Sequence, residues 1–123
     1  MAYDNPIHQT ITLPGAAISA SGTLVSAIGP AGKVGRLESI GAVVSTSTTA
    51  AASELRVGTA SDADAYGTLS VPIATAGAAA AYNAATISDI DANLMPADTA
   101  VLIASDGGST AGAADVVVTI AWF

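Results

Sequence analysis

The sequence predicts an all-β chain: a single antiparallel β-sandwich, jelly-roll-like, of about eight strands, with residues 1–123 forming one domain. Three observations carry this. Short apolar segments recur between clusters of Gly, Pro, Ser, Asp and Asn, the spacing of small sandwiches and barrels. The two stretches with any helical character are each interrupted by residues that disfavour a helix. No self-similarity at a period of 20 to 50 residues points to a solenoid or propeller. A chain of 123 residues is long enough to bury roughly two-thirds of the surface its unfolded form exposes. With 51% hydrophobic but only 4% aromatic residues, its core must be built from Ala, Val, Ile and Leu.

In chain order, Ile7, Gln9, Ile11 and Leu13 alternate with His8, Thr10 and Thr12. This is a half-buried strand that should stop at the Pro14-Gly15 turn. Residues 1–14 are either part of the sandwich or an N-terminal arm used in assembly. Thr23 to Ile28 reads as the next strand. Lys33 to Ser45 carries Val34, Leu37, Ile40 and Val43 at a helix-like spacing of three. Gly35 and Gly41 would each cost about 1 kcal/mol inside a helix, so a long bulged strand is preferred. Glu54 to Gly58 follows, then Thr68 to Ile73, where Pro72 lacks an amide proton for the ladder and assigns the segment to a sheet edge or a bulge. The Ala-rich stretch Ala74 to Ala85 contains Gly77 and Asn83, and helices under about 12 residues are marginal, so it is read as a connecting loop. Thr86 to Ile90 and Ala100 to Ser105 are further strands. The last strand, Asp115 to Phe123, turns Val116, Val118, Ile120 and Trp122 one way and Val117, Thr119, Ala121 and Phe123 the other. A strand apolar on both faces is central in its sheet or covered by another subunit. Asp106-Gly107-Gly108-Ser109 should join the last two strands as a hairpin.

Composition narrows the function classes. Cysteine is absent, which removes disulfides, thiolate metal sites and cysteine nucleophiles. Three basic residues, Lys33, Arg36 and Arg56, stand against ten acidic ones for a net charge of −7. That balance repels phosphate backbones, so no nucleic acid is expected as a partner. No apolar run reaches the ~18 residues of a membrane span, and the start MAYDNPIHQT shows no export signal, so neither a membrane nor secretion is expected. A surface with so little charge suits a protein that sits against copies of itself or a partner.

Chemistry-bearing residues are few. His8 is the single histidine, without the partners a catalytic histidine needs, and no G-x-S-x-G nucleophile signature occurs. No catalytic residue and no cofactor are therefore assigned, and the chain is read as not an enzyme. Asp62-Ala63-Asp64-Ala65-Tyr66-Gly67 resembles the first half of a calcium loop, making Asp62 and Asp64 weak calcium candidates. Tyr66 stands where an oxygen ligand is usual, however, and Ile73 where a bidentate Glu is required. Asp89, Asp91 and Asn93 alternate as residues on one strand face also would. Trp122 fits the core as well as a contact. Phe123 could anchor an interface, since large aromatics concentrate binding energy. The assembly-contact candidates are Ile7, His8, Trp122 and Phe123.

Two stretches carry a resemblance: Lys33 to Leu69, KVGRLESIGAVVSTSTTAAASELRVGTASDADAYGTL, and Leu94 to Ile120, LMPADTAVLIASDGGSTAGAADVVVTI. Glu54-Leu55-Arg56-Val57-Gly58 forms an x-L-x-V-G strand, and Pro96-Ala97-Asp98-Thr99 a P-A-x-T turn before the final strands. Together they resemble the small capsid decoration or cement proteins, the head-associated virion proteins, of tailed bacteriophages. The resemblance implies a jelly-roll-like sandwich, a homo-oligomer that is frequently a trimer, and the major capsid protein as partner. It also implies a place on the outer capsid surface of a virion assembled in the host cytoplasm. Competing readings are a head-fibre, tail or baseplate appendage with a glycan-binding role, a secreted adhesion module, and, weakest, a small hydrolase.

Overall fold

The alternation along the last strand decides how the two layers stack. In a computed structural model of the chain, describing residues 7–71, 73, 77, 79–83 and 94–123, Val116, Val118, Ile120 and Trp122 are at most 1% exposed and point between two sheets. The described residues form eight strands and no helix: β1 Ile7–Ala16, β2 Ser21–Ala27, β3 Gly35–Thr46, β4 Ser53–Gly58, β5 Gly67–Val71, β6 Ala79–Asn83, β7 Val101–Asp106 and β8 Ala113–Trp122. One sheet has the order β1-β8-β3-β6 and the other β2-β7-β4-β5, with every pairing antiparallel. The pairs nest, first strand with last and so inward: β1 with β8, β2 with β7, β3 with β6, β4 with β5.

The core between the sheets is aliphatic, as the composition requires. Leu37, Ile40, Val44, Leu55, Val57, Leu69, Val71, Val101 and Ile103 are all at most 3% exposed, joined by Ile18 and Met95 from the connections. The largest core side chain, Trp122, is accommodated by absence: a Cβ on Gly29 or on Gly35 would fall 2.5 Å from atoms of its six-membered ring. Its Nε1 donates to Gln9 Oε1 at 2.8 Å, which satisfies the buried indole and ties β1 to β8.

One end of the sandwich is closed by small hydroxyls. Ile18 O accepts from Ser53 Oγ at 2.8 Å and from Ser105 Oγ at 2.9 Å. Ser53 Oγ in turn accepts from Ser109 N at 2.9 Å, and Thr49 N donates to Ser109 Oγ at 3.0 Å. Ser53, Ser105 and Ser109 are all buried, so this network supplies the connections with the partners that buried backbone groups require.

Several sequence expectations meet corrections here. The Pro14-Gly15 pair does not end β1. The strand bulges there, with Gly15 at φ 61° and its N–H held by Asp115 Oδ1 at 2.7 Å, and runs on to Ala16. The stretch read as a connecting loop contains β6, which pairs with Ser39–Val43 of β3; backbone pairing to a long neighbour outweighs the poor strand propensity of alanine. Residues 106–109 do not make a hairpin, because β7 and β8 lie in different sheets and the segment crosses between them. The long strand from Lys33 is bulged as expected, with register shifts between Leu37 and Ser39 and between Val44 and Thr46. β5 is an edge strand. Pro72 and the expected strand Thr86 to Ile90 lie outside the described residues.

Candidate functional site

Ile7 opens β1 opposite Trp122 of β8, and the segment leaving β2 returns past the same end of the sheet. Between them lies a groove of about 540 Å³, lined by Ile7, His8, Gln9, Thr10, Ile28, Gly29, Pro30 and Trp122. Two exposed apolar side chains border it, Ile7 at 48% and Ile28 at 60% exposure, beside the polar His8, Gln9 and Thr10. Three of the four assembly-contact candidates, Ile7, His8 and Trp122, therefore line one groove, and the fourth, Phe123, is not part of its lining. Ile7 offers free apolar surface. Trp122, 1% exposed, is a core residue of this chain that forms the groove wall rather than a protruding contact. Phe123 is 47% exposed, and its backbone pairs with Val34 in both directions, at 2.8 and 3.0 Å. The last residue is thus held at the sheet end while its ring stays available.

His8 faces outward on β1. Its Nδ1 lies 2.6 Å from Oε1 of Glu38, the residue left over at the β3 bulge. Ala121, 2% exposed, lies between His8 of β1 and Arg36 of β3 in the sheet register. The Glu38 oxygen is buried, so the contact is favourable when His8 Nδ1 carries a proton. Its geometry braces the edge strand β1 against β3 across β8.

Ile28 was missed by sequence reasoning as a surface residue, because it reads as the last apolar position of a strand. The strand ends at Ala27, and the Gly29-Pro30 pair that follows was the signal that could have placed Ile28 outside it.

A second groove, about 550 Å³, lies on the outer face of the other sheet, where Ser21, Thr23, Arg56, Thr59, Leu102, Ala104 and Asp106 meet. Arg56 Nε donates to Glu54 Oε1 at 2.7 Å and its Nη2 lies 4.0 Å from Asp106 Oδ2. The Glu54 hydrogen bond is the main reason the Arg56 guanidinium holds its proton more firmly than usual. Burial alone would raise the Asp106 carboxyl, but the backbone N–H groups of Glu54 and Gly108, with the charge of Arg56, hold it below its ordinary value.

Asp62 and Asp64 are exposed in a turn organised by its own backbone. Thr59 N donates to Asp62 O at 2.8 Å and Asp62 N to Thr59 Oγ1 at 3.1 Å. Tyr66, at the fifth position of the calcium-loop pattern, is buried in the core, and burial first and Asp62 second push its phenol up. Among the described residues no three acidic or histidine side chains are placed to hold a metal. Asp89, Asp91 and Asn93 lie outside the described residues. No helix of the described residues is long and apolar enough to cross a membrane. Comparison with protein-family models, curated proteins and solved structures gave no match.

Proposed function

We propose that this chain is a capsid decoration protein of a tailed phage, which binds the assembled head as a homo-oligomer and stabilises it from the outer surface. The observation that carries the reading is the gathering of exposed apolar side chains, Ile7 and Ile28, around a groove at one end of a two-sheet frame. Surface of that kind on a small acidic domain suits recognition of protein better than chemistry on a small substrate. The nested strand pairs support a jelly-roll form of the sandwich, in keeping with the resemblance carried by Lys33 to Leu69 and Leu94 to Ile120, which also implies a trimer. A clamp selective for the assembled lattice stabilises it by linkage, and an oligomeric clamp gains from multivalency. Co-sedimentation with undecorated, expanded capsids of the phage that encodes it tests the reading. Saturable, stoichiometric binding is expected, and no binding at any salt concentration overturns it.

A second reading, an appendage protein that holds glycan, is favoured by the groove at Arg56. There a guanidinium, two carboxylates and several hydroxyls surround Leu102 and Ala104. Glycan binding without capsid binding would select it.

A further inference from the structure

The sandwich is unequal at its two sides. On one side β5 lies against β3 and β6 of the opposite sheet, and both edge strands, β5 and β6, have only five residues. Short edges are one of the ways a β protein avoids pairing with other chains. On the other side the edges are β1, of ten residues, and β2, of seven. Their apolar residues Ile11, Leu13, Ala16, Leu24 and Val25 pack on the core yet stay only partly buried. The groove and its two exposed isoleucines lie at the end of this same side.

Charge adds a second, independent observation. From Ile7 to Gly32, a run that includes β1, β2, the turn between them and the segment bearing Ile28, there is no Asp, Glu, Lys or Arg. Of the usual protections of long edges, lysine and inward charges are not used here, and only Pro14 and the bulges near the end of β1 and within β2 interrupt the two strands. The short β5 edge, by contrast, follows a turn carrying Asp62 and Asp64. For a chain of net charge −7, two copies can approach closely only where neither brings like charges to the contact. The strands of this side contribute no carboxylate of their own, and the two that border β1, Glu38 and Asp115, are engaged by His8 and by Gly15 N. The size of this side is also adequate. Ten residues at ~3.3 Å each give a length of roughly 33 Å, and two sheets ~10 Å apart with their side chains give a width of roughly 20 Å. The resulting footprint of roughly 650 Å² is close to the ~800 Å² per partner of a standard interface.

We infer that the side formed by β1 and β2, strands that carry no Asp, Glu, Lys or Arg, with the Ile7 and Ile28 groove at its end, is where a second copy of this chain binds. This rests on the reading of the protein as a self-associating decoration protein and assigns the contact between copies to one surface, distinct from whatever faces the capsid. Light-scattering mass of the purified chain, 11.8 kDa per copy, is the test. It is applied to wild type, to the edge variant T10K/T12K and to I28E, whose site is exposed and outside any strand and so does not threaten folding. The expected result is a wild-type mass two or three times the monomer, falling to the monomer mass in both variants, with the circular dichroism spectrum of I28E still that of the folded wild type and its unfolding temperature no longer dependent on concentration. A monomeric wild type at about 100 µM, or an oligomer that survives in both variants, overturns the inference. Capsid co-sedimentation of wild type is scored separately. If capsids are ignored while the variants still dissociate, the decoration reading falls and this one stands. If capsids bind while the variants keep the oligomer, the reverse holds.

Discussion

Replacing Gly35 with alanine puts a methyl group 2.5 Å from Trp122 Cζ3, 2.7 Å from Cε3 and 3.0 Å from Met95 Sδ. Both neighbours are at most 1% exposed, so neither side chain has free space to retreat into. Gly35 is not in the left-handed region, so alanine costs nothing in backbone strain there. By restricting the unfolded chain it would even contribute about 0.4–1 kcal/mol of stability. Overpacking of a close-fitted core costs about 1–3 kcal/mol, and a 2.5 Å contact falls in the upper part of that range, so the clash wins by about 1–2 kcal/mol. At about 4 °C per kcal/mol for a chain of this size, the melting temperature should fall by about 4–8 °C. Gly41, in the same strand, is the control. Its added Cβ would meet nothing nearer than Val117 O at 4.0 Å, so Gly41→Ala should leave stability unchanged or raise it by up to about 1 kcal/mol. Circular dichroism gives the melting curves, and the fluorescence of the sole tryptophan reports the indole environment. In a Trp122→Leu background the Gly35→Ala penalty should shrink to less than about 0.5 kcal/mol, because the group it collides with is gone. Equal, neutral effects of G35A and G41A would refute the packing of Trp122 against β3.

The serine network makes a second prediction. Ser53→Ala removes the donor to Ile18 O and the acceptor of Ser109 N, both buried, and should cost about 1–3 kcal/mol in denaturant titrations. Asp106 sets a pH dependence. A carboxyl whose folded-state value is depressed contributes stability that is present above its unfolded value and lost as pH falls through the folded one. Stability should therefore drop on acidification below the ordinary carboxylate value of 3.8, and D106N should flatten that part of the profile. Asp115→Ala should loosen the β1 bulge by removing the acceptor of Gly15 N, seen as faster amide exchange of Gly15 with little change in global stability.

Most of the fold was legible because period-2 alternation survives in low-complexity sequence. β8 and β1 could be read face by face, and the Gly35 and Gly41 argument against a helix held for β3. What failed was non-local. β6 is an alanine segment whose strand character comes from its neighbour β3. The link after β7 contains good hairpin residues that serve instead as acceptors and donors in a crossing between sheets. Of the candidate site, Ile7, His8 and Trp122 were named, yet alternation could not tell that Trp122 would be sealed by two glycines while Ile28 stood outside. The groove at Arg56 had no sequence signature, because Arg56 and Asp106 lie far apart in the chain and meet only through the pairing of β4 with β7.

The central claim is that this protein recognises an assembled lattice. The most direct measurement compares binding of the protein to expanded, undecorated capsids with binding to the unassembled capsid subunit at equal subunit concentration. The account predicts saturable binding to the lattice, at least tenfold tighter than to the free subunit, with the decorated capsids rupturing at a higher temperature. Equal affinity for both, or saturating binding that leaves the rupture temperature unchanged, would contradict it.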